Sequence, residues 1–252
     1  MIRLIRGEFA KIVRTPTTWY LLGCSMAVIA LLAAIALAGS SEEMKRSLSE
    51  PGGVLDTLET VGPLCVLSFV FGLLAVTAEY RHGTMTPVAL ATPRRWRIVA
   101  AKRVTYAVVS PVIVMAAFAA AGVVTSLWLV ATGLPAPLID GAAWAWTGRY
   151  VVMLSLIGLF GVGLGAIVRS QVAAVIGGII WLWLVESILM MTVPAVAKWL
   201  PFVSVDLFTR GPNAADVPAG MPAWWVSGLL FVAWTVAALA GGTFVVRRRD
   251  IL

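Results

Sequence analysis

Residues 172–193 read VAAVIGGIIWLWLVESILMMTV, a run in which Glu186 is the one charged side chain. A bilayer core about 30 Å thick is crossed by about 20 apolar residues rising about 1.5 Å each in a helix, and this run has that length. It shows no alternation of apolar and polar positions, so it is a helix surrounded by apolar material on every side. Comparable runs occur at 18–38, 61–78, 104–131, 150–168 and 224–246. The expected fold is an all-α integral membrane protein, a single transmembrane permease domain over 1–252 with six transmembrane helices.

Composition agrees: 60% of the residues are hydrophobic and 12% charged, with a mean hydropathy of +0.95. A water-soluble domain with that balance would expose large apolar patches. Little chain remains for a soluble domain, which takes roughly 100 residues or more. Ala36-Leu37-Ala38-Gly39 looks like a signal-peptidase site, but the apolar stretch before it exceeds the usual 7 to 15 residues, so an uncleaved span is expected.

The net charge of +7 takes its meaning from where the charges lie. With the N-terminus inside, 14 of the 19 Lys and Arg fall on one side: Arg3, Arg6, Lys11, Arg14, Arg81, Arg94, Arg95, Arg97, Lys102, Arg103, Arg169, Arg247, Arg248 and Arg249. Cytoplasmic loops retain Lys and Arg. Residues 1–17, 80–103, 169–171 and 247–252 are therefore placed in the cytoplasm, with both termini inside and no nucleic-acid partner. Trp128, Trp144, Trp146, Tyr150, Trp199, Trp224 and Trp225 are expected at the outer boundary, where amphipathic rings prefer the headgroup level. Cys24 and Cys65 fall toward opposite leaflets and are not expected to pair. The preference for Arg over Lys, with abundant Ala and Val, suggests a GC-rich bacterium and its inner membrane.

Two cytoplasmic segments carry more than orientation. In residues 1–16, Ile2, Ile5, Phe9, Ile12 and Val13 fall on one helical face and Arg3, Arg6, Lys11 and Arg14 on the other, until Pro16 ends the pattern. This predicts an amphipathic interfacial helix, an anionic-lipid anchor or a lever that also touches a partner; the pattern does not separate the two. Between spans two and three, residues 80–103 are far longer than the usual 2 to 8-residue helix connection. Gly83-Thr84 and Thr92-Pro93 punctuate it as helix starts. We expect a short surface helix, then a basic helix entering span three. A short helix offered to the cytoplasm gives a partner something rigid to push.

No G-x-x-x-x-G-K-[ST] phosphate loop occurs, so the chain lacks the cradle that holds nucleotide phosphates. Gly161-Val162-Gly163-Leu164-Gly165 lies inside span four, where small residues allow close helix approach. His82 is the single histidine, and no metal-ligand spacing accompanies it. No metal, cofactor or catalytic residue is expected, and the chain is not expected to be an enzyme. Glu186 is the one acid within a span, where an unrelieved charge costs several kcal/mol, about 2.5 or more on insertion scales. It contacts substrate, carries a proton, bonds across a dimer interface, or lies near enough to the outer end to reach water. Trp183 and Met190 nearby suit an adaptable apolar pathway or face lipid.

Several motifs resemble the membrane subunits of ATP-binding-cassette type-2 exporters, bacterial six-span permeases. They are Glu8-Phe9-Ala10-Lys11, Glu79-Tyr80-Arg81-His82-Gly83-Thr84-Met85, Ala91-Thr92-Pro93-Arg94-Arg95 with Lys102, Arg169-Ser170-Gln171-Val172-Ala173-Ala174, Leu200-Pro201-Phe202 and Arg249-Asp250. Their order relative to the spans follows the family over nearly the whole chain. The resemblance implies that Thr84 to Leu90, Met85 included, forms a coupling helix docking in a separate ATPase subunit, with Glu79 and Arg81 as supports and His82, Gly83, Arg94 and Arg95 around it. It implies ATP and magnesium in that partner, a second permease copy or homologue, and membrane lipids as further partners. Residues 194–222 then form a re-entrant or gate loop with Trp199, Pro201 and Phe202 at the exit; an ordinary structured loop is the alternative. The function implied is export of an amphipathic or hydrophobic compound (drug, antibiotic, lipid or peptide). The competing reading is a membrane scaffold or sensor that recruits a cytoplasmic partner without moving anything.

Overall fold

The computed structural model describes residues 2–39, 64–81, 83, 96–133, 141–168, 170–212, 217–218 and 220–248. All its regular elements are helices. They are α1 (Ile2–Arg14), α2 (Pro16–Ala38), α3 (Leu64–Arg81), α4 (Trp96–Ala131) and α5 (Gly141–Val168). There follow α6 (Gln171–Thr192), α7 (Pro194–Ala197), α8 (Pro201–Arg210) and α9 (Trp224–Arg248). Each of the six apolar runs coincides with one of the long helices, residues 61–63 lying outside the described set. Trp144–Val168, Gln171–Thr192 and Trp224–Val246 are long and apolar enough to cross a membrane, and a fourth crossing arises if the bent pair Leu4–Arg14 and Thr18–Leu32 is one span.

The bend between α1 and α2 is 62°. Pro16 has no N–H to donate and disfavours helical backbone at Thr15 before it, which separates the two axes. The anticipated basic helix running into span three is observed as the unbroken 36-residue α4, which carries Pro111 within it. Helix α5 begins at Gly141, nine residues before the apolar run, and thereby takes in the tryptophans expected at the boundary.

Helices α3 and α5 form the centre, with α9 against the other side of α5 and α4 alongside. Their closeness comes from glycine. A Cβ at Gly72 would lie 2.0 Å from the Gly158 carbonyl oxygen, and one at Gly161 would lie 2.4 Å from that of Phe69. On the opposite side of α5, a Cβ at Gly163 would meet the Ala238 carbonyl carbon at 2.6 Å. The glycine-rich stretch is thus a two-sided packing surface, as its position within an apolar run indicated. Ser68 Oγ donates to the Leu154 carbonyl at 2.7 Å across the α3–α5 contact, and Phe69, Leu73, Leu154, Ile157 and Phe160 fill the space around it.

The outer surface is apolar. Leu127, Val172, Leu229 and Val236 are more than half exposed, an arrangement stable only where the surroundings are themselves apolar. Trp144 and Trp225 are exposed, whereas Trp146 and Tyr150 are buried. Those two stack with ring centroids 4.6 Å apart inside the core, because the longer α5 turns that face toward the bundle.

Candidate functional site

At the end of the bundle carrying α1, four charged side chains from three helices meet. Lys102 of α4 is 2% exposed. Its Nζ donates to Glu8 Oε2 at 2.9 Å and to the Ala75 carbonyl at 2.8 Å, and lies 3.0 Å from Glu79 Oε1. Lys11 closes the set by donating to Glu8 Oε1 at 2.9 Å and to Glu79 Oε1 at 2.7 Å. Two carboxylates and two ammonium groups therefore balance. Their floor is apolar: Ile12, Phe71, Ala75, Val76 and Tyr106 pack together below, with the Tyr106 and Phe71 rings 5.1 Å apart. A dry floor strengthens each charge interaction relative to water.

This arrangement shows that part of the apolar face of α1 packs against the protein itself. Phe9 and Ile12 pack into the protein core, and Glu8, at 7% exposure, faces inward with them. Arg6, Gly7, Ala10, Lys11, Val13 and Arg14 are exposed. Phe9 and Ile12 on the apolar edge of α1 are packed inward, whereas Val13 on the same edge is exposed. Of the two supports expected for the coupling segment, Glu79 is in the cluster and Arg81 is exposed and outside it. Gly83 follows at φ +64°, a left-handed conformation that stops a helix and that glycine adopts without penalty. His82, Thr84, Met85, Leu90, Arg94 and Arg95 lie outside the described residues. The cluster is thus the root from which the 80–103 segment departs. Arg103, next to Lys102, reaches the other way and donates to the Leu239 carbonyl and Thr243 Oγ1 of α9.

Burial works against charge on Glu79, but Lys102 and Lys11 outweigh it and hold the carboxyl below its ordinary value of 4.5. Burial likewise opposes charge on Lys11, and the hydrogen bonds to Glu79 and Glu8 outweigh it, raising Lys11 above 10.5. A lowered acid contributes stability that is present above its unfolded value and lost as pH falls through the folded one; a raised base loses its contribution as pH rises through the folded value. The thermal midpoint of the protein in detergent is therefore expected to lose the contribution of Glu79 below about 4.5 and that of Lys11 above about 10.5. Glu79→Gln is expected to shrink the acid step; an acid step of unchanged size would remove Glu79 as its cause.

At the other end of α3, about 20 Å away by helical rise from Glu79 to Cys65, lies the second constellation. Helix α6 widens into a π-turn over Trp181–Val185, where the Glu186 N–H bonds the Trp181 carbonyl. A π-turn inserts an extra residue into the helical register and re-aims the side chains after it. Glu186 is 2% exposed. Its Oε2 accepts from the Phe202 and Val203 backbone N–H groups, each at 2.9 Å, and its Oε1 from Trp181 Nε1 at 2.8 Å. The carboxylate thus caps the N-terminus of α8, whose first residue, Pro201, has no donor.

Phe202 extends from that cap into an aromatic cluster, 5.4 Å from Phe69 and 6.1 Å from Phe160. Between α6 and α8 lies an open cavity of about 420 Å³, lined by Glu186, Met190 and Phe202 among others. Trp183 is 61% exposed and does not line it. Nor does Trp199, whose carbonyl instead accepts from Trp234 Nε1 of α9 at 3.0 Å. Pro201 is buried at the turn. Of the residues singled out in the sequence, the structure brings Glu186, Met190 and Phe202 together and leaves Trp183 and Trp199 apart.

No family model matches this chain, and no curated protein matches it. The site therefore speaks through its own geometry. Glu8 stood in the sequence only as part of a short motif, and Lys11 and Lys102 also as cytoplasmic charges; the pairing of Lys11 with Glu79 and of Lys102 with Glu8 was hidden because it joins residues 68 and 94 positions apart. One signal was present: an acid on the turn between apolar positions Ile5, Phe9 and Ile12 has no reason to sit there unless an inward partner awaits it.

Proposed function

We propose that the chain is the membrane subunit of an ATP-driven exporter, with six spans, both termini in the cytoplasm of a bacterium, and a separate ATPase chain that docks on the 80–103 segment. The observation that carries this reading is the buried cluster of Glu8, Lys11, Glu79 and Lys102 at the root of that segment. A loop serving only to retain positive charge needs no such root. A segment that receives a push needs one, since force applied to it reaches the membrane helices only through rigid attachments. Here α1, α3 and α4 share the attachment, so a displacement of the segment moves three helices together.

The other end of the molecule favours transport over a scaffold. A protein that merely recruits a partner has no use for an outer helix held by an intramembrane carboxylate above a cavity. The cargo is an amphipathic or hydrophobic compound, in keeping with the apolar character of the lining. Helix α6 is covered by the rest of the chain over only 11% of its apolar window, which leaves room for a second permease copy.

Affinity purification from native membranes tests the reading. The tagged chain is expected to bring down a polypeptide with ATPase activity and a phosphate-binding loop, and deletion of residues 84–90 is expected to abolish that association while insertion persists. An unchanged association after the deletion refutes the docking assignment, and absence of any ATPase from the intact chain refutes the exporter.

A further inference from the structure

The cavity between α6 and α8 combines two features that point to a ligand. Its walls are apolar and adaptable, with Tyr150, Met190 and Phe202 among them, and its volume of about 420 Å³ is in the range of small-molecule sites. Among the described residues that line it, the charged ones are Glu186 and Asp206, with no Lys, Arg or His. Glu186 is the more telling. All three groups that bond it, two peptide N–H and one indole N–H, are neutral, and among the described residues no cation forms an ion pair with it. A buried carboxylate with hydrogen bonds but no counter-ion is satisfied in geometry and not in charge. Asp206, on the cavity side of α8, pairs with Arg210 at 2.9 Å, but both side chains are about half exposed, and such pairs neutralise little.

We propose that this cavity binds an amphipathic organic cation, its apolar groups against Tyr150, Phe202 and the methionines and its positive centre toward Glu186 and Asp206. Aromatic faces add to the attraction of a positive centre. The carboxylates exclude anions of the same shape. The proposal deepens the exporter reading and rests on it only in treating the ligand as cargo; occupancy of the cavity is independent of any ATPase.

The test uses two ions of nearly equal size and apolarity and opposite charge, tetraphenylphosphonium and tetraphenylborate. Radiolabelled binding is measured on the full chain in phosphatidylcholine nanodiscs, with empty nanodiscs subtracted. Saturable binding of tetraphenylphosphonium is expected, with tetraphenylborate at least about tenfold weaker. Asp206→Asn is expected to weaken the cation about tenfold and leave the anion unaffected. Ser187→Trp, which fills the cavity from α6, is expected to abolish cation binding while the protein still elutes as the wild type does. Equal affinity for both ions shows an uncharged apolar groove and overturns the proposal, as does cation binding untouched by Ser187→Trp, or a cavity held by phospholipid that neither ion displaces. Loss of cation binding with the ATPase association intact refutes the site alone. Cation binding without an ATPase refutes the exporter and leaves the site standing.

Discussion

Lys102→Met is expected to destabilise the protein by about 3–5 kcal/mol, the cost of removing one member of a buried ion pair. The side chain is 2% exposed, and its ammonium group holds Glu8, Glu79 and the Ala75 carbonyl at once. Methionine fills nearly the same volume, so the loss is electrostatic: among the described residues, two carboxylates are left facing the half-exposed Lys11 as their one counter-charge. For a chain of this size that energy corresponds to an apparent Tm lower by roughly 10 °C in detergent. Adding Glu79→Gln to Lys102→Met restores neutrality between Glu8 and Lys11 and is expected to recover part of the loss, since deleting both partners of a buried pair costs less than deleting one. In the exporter reading, the recovered double variant still binds its ATPase and hydrolyses ATP, yet transports poorly, because the root of the 80–103 segment has been loosened. A Tm unchanged by Lys102→Met would mean that water screens the cluster and that it ties nothing together.

Glu186→Leu is expected to release α8. The carboxylate takes two peptide N–H groups at the start of that helix and the Trp181 indole N–H, and leucine takes none. Each buried donor left without an acceptor costs about 1–3 kcal/mol, so the cap alone accounts for roughly 2 to 6 kcal/mol. Phe202 still packs against Phe69 and Phe160, which argues for local release and not global unfolding. Hydrogen exchange reads this directly: the Phe202 and Val203 amides, slow in the wild type, are expected to exchange quickly in the variant while α3 and α5 stay protected. Glu186→Gln keeps one carbonyl oxygen for the peptide pair and is expected to fall between the two. Equal protection of both amides in Glu186→Leu would show that the aromatic cluster, not the carboxylate, fixes the helix.

These two clusters separate what local pattern reveals from what it hides. The apolar runs, the helical character of each, the π-interrupted helix as an apolar run and the packing role of the Gly161 to Gly165 stretch were all legible, because they depend on residues within a turn or two of each other. Pro16 announced the α1–α2 break for the same reason. Two contacts were not legible, through a common cause. Amphipathicity says that one face of α1 must be covered and does not say by what; Phe9 and Ile12 pack into the protein core. A preference of aromatic rings for the headgroup level does not say which of them pack inward, and Trp146 and Tyr150 stack inside the core.

That the chain is helical and apolar enough for a membrane follows from composition and spacing alone, since the cost of exposing apolar side chains to water is set residue by residue. Where the charges go is another matter. The partners of Lys102, and the peptide N–H groups that bond Glu186, come from other helices, and no periodicity within one helix encodes the rotation at which a neighbour docks. The glycine contacts of α5 and the π-turn before Glu186 set those rotations, so the two clusters exist only once the helices are packed.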